Sequence, residues 1–149
     1  MAVGNKCPQW IDTGYREFAG RMPREAKLEL VEISPPAHQG ESSRYIADEG
    51  RKILRQIQDR DWVIALDERA RMPTSRELAA DFERWLSLGA DVAFVVGGSD
   101  GLDQAVLKRA NASMSLSKLT LPHYLVRVVL AEALYRAWSI RKGHPYHRD

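Results

Sequence analysis

Val92-Ala93-Phe94-Val95-Val96-Gly97-Gly98-Ser99-Asp100-Gly101 is the stretch on which the fold turns. Five consecutive apolar residues, three of them valine, suit a strand buried on both faces, and the glycines with serine and aspartate cannot continue it. Beyond the turn, Val106, Leu107 and Ala110 recur at helical spacing. A strand that passes through a glycine turn into a helix is the repeating unit of an α/β protein with parallel strands.

Outward from that unit the same alternation continues. Upstream, Trp62-Val63-Ile64-Ala65-Leu66 is a second buried run. Between the two, Thr74 with Glu77 three residues later forms a capping box. The helix it opens carries Leu78, Phe82, Trp85 and Leu86 on its inner face and is stopped by Gly89. Residues 37–44 read as an exposed loop before a helix with Ile46, Ile53, Leu54 and Ile57 inward. Leu28, Leu30 and Ile33 read as a short strand closed by Pro35-Pro36. Trp10, Tyr15, Phe18 and Met22 recur at near-helical spacing behind a brief apolar start, Ala2-Val3. Downstream, a short segment near Met114 and Leu116 leads to a long helix from about His123 to Lys142, with Gly143 as its stop. The pattern predicts one α/β domain over residues 1–149, a mainly parallel sheet with helices on both faces. Ligands of such sheets bind beyond the carboxyl ends of the strands. That rule gathers Leu66-Asp67, the 97–101 turn and Ser117-Lys118-Leu119-Thr120-Leu121-Pro122 on one rim, as a pocket.

Composition narrows the class. At 44% hydrophobic and 28% charged residues the chain can bury a core and is no disordered tail. A single cysteine, Cys7, excludes an intrachain disulfide and suits a reducing compartment. The apolar runs are far shorter than the roughly 20 residues a membrane helix needs, and no signal-peptide layout precedes them, so a cytoplasmic protein is expected. The net charge of +2 decides nothing, but its distribution is uneven. From His123 onward, Arg127, Arg136, Arg141, Lys142 and Arg148 face only Glu132 and Asp149, and His123, His144 and His147 fall there too. A basic face of that kind suits a polyanion; a solvated helix with ordinary charge scatter is the plain alternative.

The glycine turn exposes backbone to a ligand, ideally at a helix N-terminus. It matches neither the dinucleotide G-x-G-x-x-G pattern nor a P-loop, and a ligand-free turn would look the same. The run from Ser113 to Pro122 is richer in hydroxyls than a connector needs; its backbone can read a purine edge and its leucines can sandwich the ring. His144-Pro145-Tyr146-His147-Arg148 offers stacking and phosphate-pairing groups for RNA. Two close histidines without cysteine or a carboxylate set do not make a zinc site, so no metal is expected. No G-x-S-x-G elbow is present, which sets a serine hydrolase aside.

Taken together, Val95-Val96-Gly97-Gly98, Ser115-Leu116-Ser117-Lys118-Leu119-Thr120-Leu121-Pro122-His123, Leu134-Tyr135-Arg136-Ala137-Trp138-Ser139-Ile140 and His144-Pro145-Tyr146-His147-Arg148 resemble one family. It is the ribosomal large-subunit (23S) pseudouridine N3-methyltransferase family, RlmH, of the SPOUT class. Pro8, Trp10, Gly14 and Ile64-Ala65-Leu66-Asp67 extend the likeness nearly end to end. The resemblance implies a C-terminal trefoil knot, which pattern reading does not find because chains are almost always unknotted. It implies S-adenosylmethionine as methyl donor, held by Leu66, Gly98 and residues Ser117 through Pro122, the loops already gathered on the rim. It also implies a homodimer acting on a pseudouridine of large-subunit ribosomal RNA, naked or in an assembled ribosome. Relative to the family the chain starts a few residues late, so its first strand is expected to be weak. Ser99-Asp100 stands where relatives often have a small residue or proline and then glutamate.

Loss of the N3 proton needs a base or a stabilising cation, and His123, His147 and Arg148 are the candidates. Arg136, Tyr146, His147 and Arg148 are the expected RNA contacts. The rival reading is a non-catalytic RNA-binding module docking on ribosomes through the basic C-terminal helix. Such a module has no use for a donor pocket.

Overall fold

A computed structural model describes residues 1–36 and 42–147. The first part of the expected exposed loop, residues 37–41, and Arg148 and Asp149 lie outside the described residues. In chain order the elements are β1 (Ala2–Val3), α1 (Gln9–Ala19), a 3-10 turn (Arg24–Ala26), β2 (Glu32–Ile33), α2 (Ser42–Leu54) and β3 (Trp62–Leu66). There follow α3 (Ser75–Leu86), β4 (Val92–Val95), α4 (Gln104–Arg109), β5 (Ala112–Met114) and α5 (His123–Lys142).

Among the described residues every strand pairing is parallel. β3 lies between β4 and β5, and β1 pairs with β2. Val3 N donates to Val96 O at 3.1 Å and Ala2 bridges Val96, so β1 carries the sheet on past the end of β4. Alternate residues of a strand face opposite sides, and the core divides accordingly. Ile64, Phe94 and Met114 pack with Leu78 and Phe82 of α3 and Leu130 and Leu134 of α5. Val63 and Val95 pack on the other side with Ile53 of α2 and Val106 of α4. The α/β reading with helices on both faces is therefore what the chain builds. α1 lies against α5, where Phe18 meets Tyr135.

Several boundaries hold. β3 is the run Trp62–Leu66, the Thr74–Glu77 capping box opens α3, and α5 spans His123–Lys142 before Gly143. Others move. Leu28 and Leu30 are not in a strand: β2 has only the two residues that the two-residue β1 can pair, and Leu28 packs against the α3–α5 core instead. Trp10 is 62% exposed, and its neighbour Ile11 takes the inward position on α1. α2 starts at Ser42, so the end of the expected loop is helix, and Ile57 reaches the core from beyond the helix end. Met114 belongs to a strand, β5, rather than to a connecting segment.

The largest correction concerns charge. Arg127 is no part of a basic surface; its side chain is 1% exposed and its two terminal nitrogens are engaged inside the fold. It pairs with Glu32 at 2.8 Å and donates to Val3 O at 3.0 Å and Gly4 O at 2.6 Å. Charge buried this way is held by its partners, and removing one leaves the others unsatisfied. Arg141 pairs with Glu83 at 3.0 Å, and Arg136 pairs with Glu132 one turn back on α5.

Candidate active site

The carboxyl ends of β3, β4 and β5 open onto one cavity of about 560 Å³, a size typical of sites for small organic ligands. Its wall comes from residues 66–69 at the end of β3, 96–102 after β4 and 114–121 except Lys118 at the end of β5, with Gln104 and Leu107 of α4 and His123 and Val126 of α5. Leu66, Gly98, Ser117, Leu119, Thr120 and Leu121 thus converge as the sequence predicts. Lys118 and Pro122 are not in the wall: Lys118 is exposed, and Pro122 serves as the N-cap of α5.

The turn after β4 is tighter than the sequence suggests. Gly101 has φ +86°, which glycine adopts without strain, and its N–H donates to Gly98 O at 3.2 Å. A Cβ on Gly97 would stand 2.3 Å from Gly101 O, so the two backbones touch. The turn does not open a helix: α4 begins at Gln104 under its own cap, Asp103, which accepts from Ala105 N at 2.7 Å. The amides of residues 97–101 are therefore not a helix N-terminus, and that part of the sequence reading is set aside.

The segment after β5 is laced into the loop after β3. Asp67 N donates to Met114 O at 3.1 Å and Ser115 N to Arg71 O at 2.9 Å. Two of the loop's hydroxyls serve the loop itself. Ser115 Oγ donates to Ser117 O, and Ser117 Oγ accepts from Leu119 N, both at 2.9 Å. Thr120 Oγ1 reaches Glu68 Oε2 at 3.3 Å across the cavity mouth. Backbone polar groups and leucine side chains are left to meet a ligand, and the rim adds Asp67, Glu68, Arg69 and Asp100.

His123 is the first residue of α5, half-buried at the cavity, with its ring 4.1 Å from that of Tyr124. Burial, with the Arg127 charge behind it, holds its imidazole below the usual 6.5. A neutral imidazole beside a cavity is equipped to accept a proton.

The tail lies elsewhere. Tyr146 packs edge-on against Tyr135 at 4.8 Å, and its hydroxyl donates to Glu132 Oε1 at 2.9 Å. Arg136 sits 5.0 Å from the Tyr146 ring centre. Burial and the Glu132 carboxylate together raise the Tyr146 hydroxyl above its ordinary 10. His147 is half-buried and follows Tyr146 in the chain. Tyr146 and Arg136 are thus together, but at the far end of α5 from His123 and the cavity. Arg148 lies outside the described residues.

The chain matches, over residues 1–147, the family described as "Predicted SPOUT methyltransferase". It belongs to the SPOUT methyltransferase family. Among its relatives, "Ribosomal RNA large subunit methyltransferase H" of Hahella chejuensis is 48% identical, the match covering 100% of this chain and 97% of that protein. The proteins of the same name from Hydrogenovibrio crunogenus and Burkholderia thailandensis are 45% and 48% identical. Those matches cover 100% and 99% of this chain, and 97% and 96% of the relatives. The chain is accordingly a methyltransferase, and the non-catalytic binding module is displaced as a reading of it.

Sequence reasoning missed Glu49, which is only 4% exposed and whose carboxylate lies directly against Gly98. A signal was present: Gly50 follows it inside a helix, where glycine is costly and marks a close approach. The acids of the rim were missed as well, because nothing in their spacing separates them from surface charge.

Proposed function

We propose that the chain methylates N3 of a pseudouridine in large-subunit (23S) ribosomal RNA, with S-adenosylmethionine as donor, as a cytoplasmic homodimer. The observation that carries this reading is the cavity at the carboxyl edge of the sheet, walled by the three loops, in a chain with full-length relatives of the name given above. The residues fit such a donor: leucines 66, 116 and 121 can flank an adenine, close-packed glycine backbone can approach its edges, and the acids of the rim suit a cationic sulfonium or ammonium group. Bound there, S-adenosylmethionine supplies an electrophilic methyl group.

The chain's own residues position and deprotonate. Holding the nucleophile in line with the methyl is worth as much as about 7–11 kcal/mol of the barrier. His123, neutral near pH 7, accepts the N3 proton of the pseudouridine. The tail residues Tyr146, His147 and Arg148, with Arg136, hold the RNA. The 20 residues of α5 span about 30 Å, so the tail of one chain serves the cavity of a two-fold partner. The trefoil knot that the family resemblance implies is part of the proposal.

Calorimetry with S-adenosylmethionine tests the site, with one site per chain expected. Mass spectrometry of ribosomal RNA from treated ribosomes tests the reaction. A donor that does not bind, or an unchanged RNA, defeats the proposal.

A further inference from the structure

We infer that Glu49 is a positioning residue of the methyl-donor site, holding the loop after β4 in its binding shape from the side away from the ligand. The inference rests on the reading of the cavity as the donor site. Glu49 lies on α2, is 4% exposed and takes no part in the cavity wall. Its carboxylate faces the Gly98 backbone N–H. A Cβ built on Gly98 would lie 3.0 Å from both Glu49 oxygens, so the acid lies directly against the loop.

A second contact anchors the other end of the loop. The next residue, Gly50, comes so near the α4 cap that a Cβ there would stand 2.5 Å from Asp103 Cβ. The pair Glu49-Gly50 therefore grips the donor loop at Gly98 and at Asp103. The core of the protein needs no carboxylate in this place, and burying one is costly unless it is bonded. The charged groups that face it are Asp100 of the loop and Lys52 of α2. Lys52 is also tied to Ser34 O at 2.8 Å. Burial, and secondarily Asp100, raise the Glu49 carboxyl above its ordinary 4.5, against the opposing effect of the Gly98 N–H that faces it. With the carboxylate packed against Gly98 from behind, the loop presents a fixed backbone edge to the cavity.

The test is calorimetry of the full chain with S-adenosylhomocysteine, joined to steady-state kinetics. Removing an acceptor that is charged costs an affinity factor of about tenfold or more, and Glu49→Ala is expected to weaken binding by that factor. The stoichiometry should stay at one per chain, and KM for the donor should rise more than kcat falls. Glu49→Gln, which keeps an acceptor oxygen, should recover most of the affinity. A merely structural role would lower the bound fraction and leave the affinity of the folded remainder unchanged. Should Glu49→Ala fail to fold, Gly98→Ala takes its place: it should lose donor affinity alone and regain part of it beside the shorter Glu49→Asp. Wild-type affinity in Glu49→Ala, equal losses in Ala and Gln, or independent effects of Gly98→Ala and Glu49→Asp would each overturn the inference. An unmodified chain that binds no S-adenosylhomocysteine would instead defeat the donor-site reading itself.

Discussion

The two ends of α5 are built by different physics. At its N-terminal end, the cavity is shaped by backbone: Gly97 against Gly101, Met114 O on Asp67 N, Ser115 N on Arg71 O. At its C-terminal end, the tail is held by side chains, with Tyr146 on Tyr135 and Glu132 and with Arg136 over the ring. Backbone walls tolerate almost no added volume, since close-packed main chain has nowhere to go. Side-chain clasps can be thinned without collapse. The first end is suited to a small ligand of fixed shape, and the second to a large and variable partner.

The contrast breaks most sharply at Gly98. Gly98→Val should lower donor affinity by about a hundredfold or more, because a branched side chain 3.0 Å from the Glu49 oxygens must push the loop off its support. The circular dichroism spectrum should stay close to that of the unmodified chain. Unchanged affinity would show that the turn is not at the site.

Replacing Tyr146, His147 and Arg148 by alanine should act on the other partner. Methylation of ribosomes should fall by about a hundredfold, while donor affinity stays within about twofold, since base stacking and phosphate pairing are worth a few kcal/mol together. Mixing this variant with Gly98→Val should restore part of the activity if tail and cavity meet across a dimer. A loss of donor binding in the tail variant would mean that the two ends share one ligand and the division drawn here is wrong.

How much of this could be read beforehand follows the same division. The strands β3 and β4, the capping box of α3 and the full extent of α5 were legible because hydrophobic period and caps are local signals. The three loops were legible as a set because parallel strands put their carboxyl ends on one edge. Glu49 was not, since its importance comes from a contact with Gly98 that only the tertiary fold creates. Arg127 misled for the same reason. Its sequence neighbourhood is basic, but Val3 O, Gly4 O and Glu32, more than ninety positions away, draw it inside. β5 was missed because three residues with one buried side chain carry too little pattern.

A pH profile separates the two ends at His123. Burial and Arg127 lower its pKa below 6.5, so the imidazole stays unprotonated further into acid than an ordinary histidine. If it accepts the N3 proton, the acid limb of kcat should have its midpoint below pH 6.5. His123→Gln should lower kcat by about 10²–10⁴-fold and flatten that acid limb, with little change in donor affinity. A limb that persists in His123→Gln belongs to another group and removes His123 as the base.

The smallest effect expected is at the clasp itself. Tyr146→Phe keeps the ring against Tyr135 and removes only the hydroxyl that donates to Glu132 at 2.9 Å. Glu132 retains its pairing with Arg136, so no buried charge is stranded. A hydrogen bond of this kind contributes about 0.5–1.5 kcal/mol, and Tyr146 is only half-buried, which favours the lower end. For a domain of this length, each kcal/mol moves the melting midpoint by about 2–4 °C. A drop of a degree or two in differential scanning calorimetry is therefore expected, with ribosome methylation nearly intact because the ring remains. An unchanged midpoint would mean that the tail does not rest on its own helix in solution. In that event the side-chain end of α5 is not a clasp, and the contrast with the backbone-built cavity would have to be drawn from the dimer instead.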